Sequence, residues 1–217
     1  MRQEFTFYLD PRNDYTPHEF WMLQREPGHH YCKQVDFALH GIGSGPGCLL
    51  MVGSPLFELI EFSQAGWEVT FVDVRKPPHM EGFLLVQADA STSSFEPGLF
   101  DAASTTCVLC HAGMGRYGDP IMAEADVLIL KNIARALKPG ARLAVTFGPV
   151  ASISGIARID NRHRVYNLPI ARAMAQDAGF RILKEGILDI NTGQWTGKPP
   201  TALFLGREYL SMLLEKP

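Results

Sequence analysis

The sequence predicts an α/β fold: a mostly parallel sheet of seven strands, covered by helices on both faces and closed by a C-terminal antiparallel hairpin. Two observations carry the prediction. The stretch from Leu49 to Asp73, LLMVGSPLFELIEFSQAGWEVTFVD, reads as a complete strand–turn–helix–strand unit. From there to the C-terminus, apolar strand runs keep alternating with segments of helical period, the pattern of a parallel sheet with crossover helices.

The unit opens on the apolar run Leu49 to Val52, bounded by Gly47 and Gly53, as a strand buried on both faces reads. Gly53-Ser54-Pro55 breaks the run. Leu56, Leu59, Ile60 and Phe62 then recur at helical spacing until Gly66 stops the helix. A second strand, Val69 to Val72, ends on Asp73. Such a unit crosses over right-handed. It is built to take a nucleotide-like ligand at the carboxyl ends of its strands. Backbone approaches the ligand at the first turn, and an acid about 20 positions on accepts from ribose hydroxyls.

Phe83 to Val86 is predicted as the third strand, followed by Gln87-Ala88-Asp89-Ala90, which sets Asp89 where an adenine amino group can be met. Leu99 to Val108 makes the fourth, with Asp101 near its start. Asp119-Pro120 reads as an N-cap acid and a first-turn proline. The helix it would open has Ile121, Ala125, Leu128, Ile129, Ile133 and Leu137 as its buried stripe and Lys138-Pro139-Gly140 as its end. Arg142 to Phe147 is the fifth strand, and Pro169 to Ala178 a helix closed by Gly179. Arg181 to Ile190 is the sixth strand, with Tyr209 to Glu215 returning antiparallel to it as the seventh.

Residues 1–47 are expected to form a cap on the domain of residues 48–217. Phe5, Phe7, Tyr8, Tyr15, Phe20 and Trp21 need a surface to bury them, and Pro11, Pro17 and Pro27 interrupt any long element. Short helices are predicted around His18 to Arg25 and from His30 to Leu39. Gly41 to Gly47 imitates a nucleotide-binding glycine loop. It precedes the first strand, however, and lies about ten residues too far from Asp73, so it reads as a linker.

At 217 residues, 46% hydrophobic and a net charge of −3, the chain can bury a core and has no basic excess for nucleic acid. The polar N-terminus and the lack of a membrane-length apolar run predict a cytoplasmic protein. Cys107 to His111, CVLCH, matches a haem-attachment pattern but closes an apolar strand, and no export signal accompanies it. A single CxxC supplies two of about four zinc ligands, and His29, His30, Cys32 and His40 follow no ligand spacing, so no metal is expected.

The order of these elements resembles the class I S-adenosylmethionine (SAM)-dependent methyltransferases, a Rossmann-like fold, over roughly Cys48 to Lys216. Asp73 matches the family's ribose-binding acid and Asp89-Ala90 its adenine-contacting pair. Phe100-Asp101-Ala102 and Leu137-Lys138-Pro139-Gly140 look like its fourth-strand start and following turn. Gly113-Met-Gly-Arg-Tyr-Gly-Asp-Pro120, followed by His163-Arg-Val-Tyr166, resembles a narrower subgroup, a domain of unknown function with a GLGRYGDP signature often met near genes for surface polysaccharides. Two departures stand out. The first loop is reduced to Gly53-Ser54-Pro55-Leu56, and Cys110 stands where relatives usually place a glutamate.

The resemblance implies SAM as cofactor, held by Gly53, Ser54, Asp73, Val74, Asp89, Ala90 and Cys107. It implies a small-molecule acceptor, most simply a hydroxyl of a sugar or secondary metabolite, and no nucleic acid or membrane partner; the assembly to look for is a homodimer. His111, past the fourth strand, has the ordinary pKa of a general base; its alternative role is to pin the Gly113–Gly118 loop. His163 and Tyr117 join it as candidate catalytic groups. Arg116, Arg164 and Tyr166 are candidate substrate contacts, Arg116 by gripping an anion or else by pairing with Asp119, with a structural, packing role as the alternative for Arg164 and Tyr166. The rival reading is a methyltransferase-like fold that transfers no methyl group and acts as a binding partner or catalyses another reaction.

Overall fold

The computed structural model describes residues 7–8, 28–77, 79–159, 162–197, 200 and 207–217. The strands, in chain order, are Phe7–Tyr8 (β1), Gly47–Val52 (β2), Trp67–Asp73 (β3), His79–Met80 (β4), Leu84–Gln87 (β5) and Phe100–Thr106 (β6), then Leu137–Val150 (β7), Ala157–Ile159 (β8), His163–Val165 (β9), Arg181–Asp189 (β10), Gln194–Thr196 (β11) and Glu208–Glu215 (β12). The helices are His30–Ile42 (α1), Leu56–Gln64 (α2), Ala125–Ala136 (α3) and Leu168–Asp177 (α4).

One sheet of eight strands runs β5-β3-β2-β6-β7-β12-β10-β11, parallel from β5 to β7 and antiparallel beyond. The eighth strand, one more than the sequence reading, is β11, a short addition to the edge of the expected hairpin. Alternation along the central strands splits the core in two. Leu50, Val52, Val72, Ala103, Leu143 and Val145 face α3 and α4, whose Ile129, Leu130, Ile133, Ala171 and Met174 complete that layer. Leu49, Met51, Val69, Phe71 and Ala102 face the other way, against Ala38 of α1 and Leu56, Leu59 and Phe62 of α2. Strands clothed on both sides have no polar face, which is why they read as continuous apolar runs. No described helix is long and apolar enough to cross a membrane.

Two boundaries differ from expectation. α3 begins at Ala125 rather than at Asp119-Pro120, because the Asp119 carboxylate faces backwards along the chain: it accepts from the backbone N–H groups of Met114 (3.0 Å), Gly115 (3.3 Å) and Tyr117 (3.0 Å). The helix also ends at Ala136, and Leu137 to Gly140 already runs as strand. Of the predicted linker Gly41–Gly47, Gly41 and Ile42 close α1 and Gly47 opens β2, so the connection is Gly43–Pro46, at the amino end of β2 and opposite the carboxyl end where Gly53 sits. There Gly45 passes so close to Gly66 that a Cβ would stand 2.3 Å from its carbonyl oxygen. The helix expected around His18 to Arg25 falls outside the described residues. Nearer the start, β1 pairs antiparallel with β4, a few residues beyond Asp73.

Candidate active site

Sheet order reverses at β2, with β3 on one side and β6 on the other, and a cleft opens at the carboxyl ends of these strands. Open parallel sheets bind ligands at this switch point. Gly53, Asp73, Val74, Asp89, Ala90 and Cys107 all line it, as do His111 and Tyr117.

Gly53 turns the chain off β2 with φ +57°, and a Cβ there would stand 2.9 Å from Val108 Cγ2, so only glycine lets backbone form this wall. Ser54 does not line the cleft. Its buried hydroxyl accepts from the Thr106 backbone N–H at 2.9 Å and so ties the end of β6 to the turn after β2. Across the cleft, Asp89 accepts from the backbone N–H (2.8 Å) and hydroxyl (2.7 Å) of Ser91. Asn132 of α3 fixes that turn by donating to the carbonyls of Ala90 (2.9 Å) and Ser91 (3.0 Å).

Asp73 is not simply open to a ligand. Oδ1 accepts from the Arg75 backbone N–H at 2.8 Å and from Arg75 Nε at 3.0 Å, and Oδ2 accepts from Nη2 at 2.9 Å. A carboxylate offers about four lone-pair sites, so Arg75 alone takes three of them. Its guanidinium is buried and lies 4.6 Å from the centre of the Tyr117 ring, which links the Asp73 wall to the Gly113–Gly118 loop. Sequence reasoning passed over Arg75, although two positions after a strand-end acid is where a side chain can turn back on it. Tyr31, at the start of α1, also lines the cleft; the fold brings it there from far along the chain, and no local signal marks it.

The loop motif and the later HRVY segment prove to be two halves of one device. Arg164 is 1% exposed and reaches under the loop. Its Nη1 donates to the carbonyls of Leu109 (3.2 Å) and Ala112, its Nη2 to those of Met122 and Ala123 (3.2 Å each), and its Nε lies 3.6 Å from Asp126 Oδ2. Tyr166, fully buried, donates to the same Asp126 oxygen at 2.8 Å. Neither side chain lines the cleft; both shape the loop that does. Gly113, with φ +67°, has Met122 O where a Cβ would be, at 2.2 Å. Cys110 is sealed against Gly148, whose own Cβ would stand 2.6 Å from its sulfur, and burial pushes the thiol up to about 12. It is packing.

His111 Nδ1 faces the Arg162 carbonyl, which can only accept, so Nδ1 carries the proton and Nε2 keeps its lone pair. Burial, then the nearby cations Arg116, His163 and Arg75, overcome that hydrogen bond and bring the ring down to about 4. His163 lies 6.1 Å from His111 between ring centres, and burial followed by Arg116 and Arg162 lowers it as well. Arg116 is not among the residues that line the cleft, but its Nη1 lies 3.5 Å from His111 Nδ1 and its guanidinium 5.2 Å from the Tyr117 ring centre.

Beneath the Gly53 turn lies Glu58 of α2, wholly buried, accepting from the Ser104 hydroxyl; burial raises its pKa to about 7 against the opposing hydrogen bonds of Ser104, Thr106 and Ser54. An unfolded glutamate ionises near 4.5, whereas this one holds its proton until about 7. Stability is therefore lost as pH rises between those values. Glu58→Gln, which keeps the donor and acceptor but cannot ionise, should gain about 3 kcal/mol on wild type over that window. Urea midpoints of both proteins at pH 5 and pH 8 check this; parallel pH curves would refute it.

No protein-family model matches the chain, and no curated protein sequence matches it. Solved structures do. The 1,6-didemethyltoxoflavin-N1-methyltransferase of Burkholderia thailandensis, crystallised with 1,6-didemethyltoxoflavin and S-adenosylhomocysteine (SAH), is 18% identical with a TM-score of 0.66, covering 98% of this chain and 94% of its own. The [4+2]-cyclase SpnF is 16% identical with a TM-score of 0.62, covering 85% and 80%. A SAM-dependent methyltransferase of Methanosarcina mazei is 16% identical with a TM-score of 0.59, covering 82% and 96%. At these identities the likeness speaks for architecture alone: the chain shares the fold of these proteins.

Proposed function

We propose that the protein is a SAM-dependent methyltransferase acting on a small-molecule acceptor, with His111 as general base and a hydroxyl of a sugar or secondary metabolite as the group methylated. The observation that carries this reading is that the Gly53 turn and Asp73, twenty residues apart, flank one cleft at the sheet's switch point, with His111 on its far wall. The residues fit an adenosyl group. Bare backbone at Gly53 admits close approach, Asp89 sits on the third strand-end loop, and Asp73 offers a carboxylate for the ribose. Serving both ribose hydroxyls requires the Arg75 guanidinium to turn aside, since it holds two of the Asp73 lone pairs.

When bound, SAM would supply a methyl carbon activated by a positive sulfur, with neutral SAH as the leaving group. His111 Nε2 receives the acceptor's proton as the new O–C bond forms, its tautomer held by the Arg162 carbonyl. The Arg164-stapled loop holds this base and Tyr117 in place, the positioning on which in-line displacement depends. The fold alone does not fix the reaction, as the [4+2]-cyclase among its structural neighbours illustrates. A protein of the rival class would lack saturable affinity for the cofactor.

Calorimetric titration with SAM and SAH is the deciding experiment. Saturable binding by the wild type and its loss in Asp73→Ala are expected; equal affinity in the two proteins would refute the site.

A further inference from the structure

Building on that reading of the acceptor site, we infer that the acceptor carries an oxyanion, a carboxylate or phosphate, and that Arg116 grips it beside His111. The loop's own acid does not claim Arg116: the Asp119 carboxylate is taken up by three backbone N–H groups. Arg116 Nη1 donates to the Arg162 carbonyl at 3.2 Å, and its guanidinium has no carboxylate within ion-pair reach among the described residues. By contrast Arg172, Arg181 and Arg207, also exposed, each face a carboxylate, of Glu185, Glu215 and Asp189. Most of the planar donor fork of Arg116 is thus left for a ligand, in the geometry that carboxylates and phosphates match.

The neighbourhood reinforces it. His163, 6.1 Å from His111, encloses an Nε2 that finds no hydrogen-bond partner among the described residues. Arg162 adds a second cation on this side, and Arg75 lies against the Tyr117 ring from its own position. The acids facing the cleft are already engaged: Asp73 by Arg75, Asp89 by Ser91, Asp119 by the loop. Asp119 keeps its charge in the same loop, and Arg116 and Arg162 together outweigh it beside His111 and His163. A cation there does two things: it orients an anionic acceptor, and it stabilises the oxygen that becomes negative as His111 takes its proton.

The test is binding, followed at the ring C–H signals of His111 and His163 by NMR, at constant ionic strength, with and without SAH. The probes are inorganic phosphate, benzoate and the neutral benzamide. Saturable shifts with an anion and none with benzamide are expected. Arg116→Gln should weaken the anion at least ~10-fold while leaving calorimetric SAH affinity unchanged. Anions that bind no better than benzamide, or as well to Arg116→Gln as to wild type, overturn the inference. SAH binding without anion binding would sink this inference and leave the methyltransferase reading intact; anion binding without SAH binding would sink the methyltransferase reading and leave Arg116 as an anion site with no methyl acceptor.

Discussion

Replacing Arg164 by alanine is expected to cost roughly 3–5 kcal/mol of folding stability, read as a fall in the urea midpoint. The magnitude follows from what would be left behind. Asp126, 3% exposed, would lose its buried counter-ion, and the carbonyls of Leu109, Ala112, Met122 and Ala123 would lose their shared donor without gaining access to water. Truncating one partner of a buried charged pair strands the other, which is dearer than deleting both. Against a domain stability of about 5–15 kcal/mol, this is roughly a fifth or more of the total. Arg164→Lys should rescue little, because one ammonium cannot span four carbonyls on two sides of a loop. If either variant lost less than about 1 kcal/mol, the size of one ordinary hydrogen bond, the stapling role would be wrong.

Such a residue shows where sequence reading succeeds and where it stops. The βαβ unit was legible because a strand clothed on both faces is apolar throughout, as Leu49 to Val52 is, and Val69 to Val72 departs from that only at half-buried Thr70. Asp73 and Gly53 followed from chain direction alone. Asp119-Pro120 misled because an aspartate accepts from N–H groups on either side of it; the forward-facing cap and the backward-facing loop staple have the same letters. From its place after the fifth strand, on the cofactor side, Arg164 reads either as a substrate contact or as a structural residue, and the sequence does not decide between them. Successive residues of a strand point to opposite sides, and in β9 Arg164 is fully buried while His163 is only partly so. Tyr31 and Glu58 acquire their meaning from contacts across the fold, which no local spacing encodes.

His111→Gln is expected to lower kcat for methyl transfer by about 10²–10⁴-fold, the usual contribution of a positioned base, while leaving SAH affinity as it is. The pH profile makes the assignment specific. An ordinary histidine would begin to protonate near 6.5, so a base of that kind would lose activity as pH fell through the sixes. Burial and the surrounding cations bring His111 to about 4, so its Nε2 stays unprotonated well below neutrality. The acid limb of kcat/KM should therefore appear near pH 4–5 rather than 6–7, limited there by whichever comes first, the imidazole or the stability of the fold. Stability moves in the same sense: a histidine with a depressed folded pKa favours folding above 6.5 and loses that contribution as pH falls toward 4. Two readouts then separate the base from a mere loop pin. A pin predicts that His111→Gln loosens the Gly113–Gly118 loop and weakens SAH with no change in the shape of the pH profile. A base predicts intact SAH binding, a collapsed rate and the disappearance of the low-pH limb, and a variant that keeps most of the wild-type rate would exclude it.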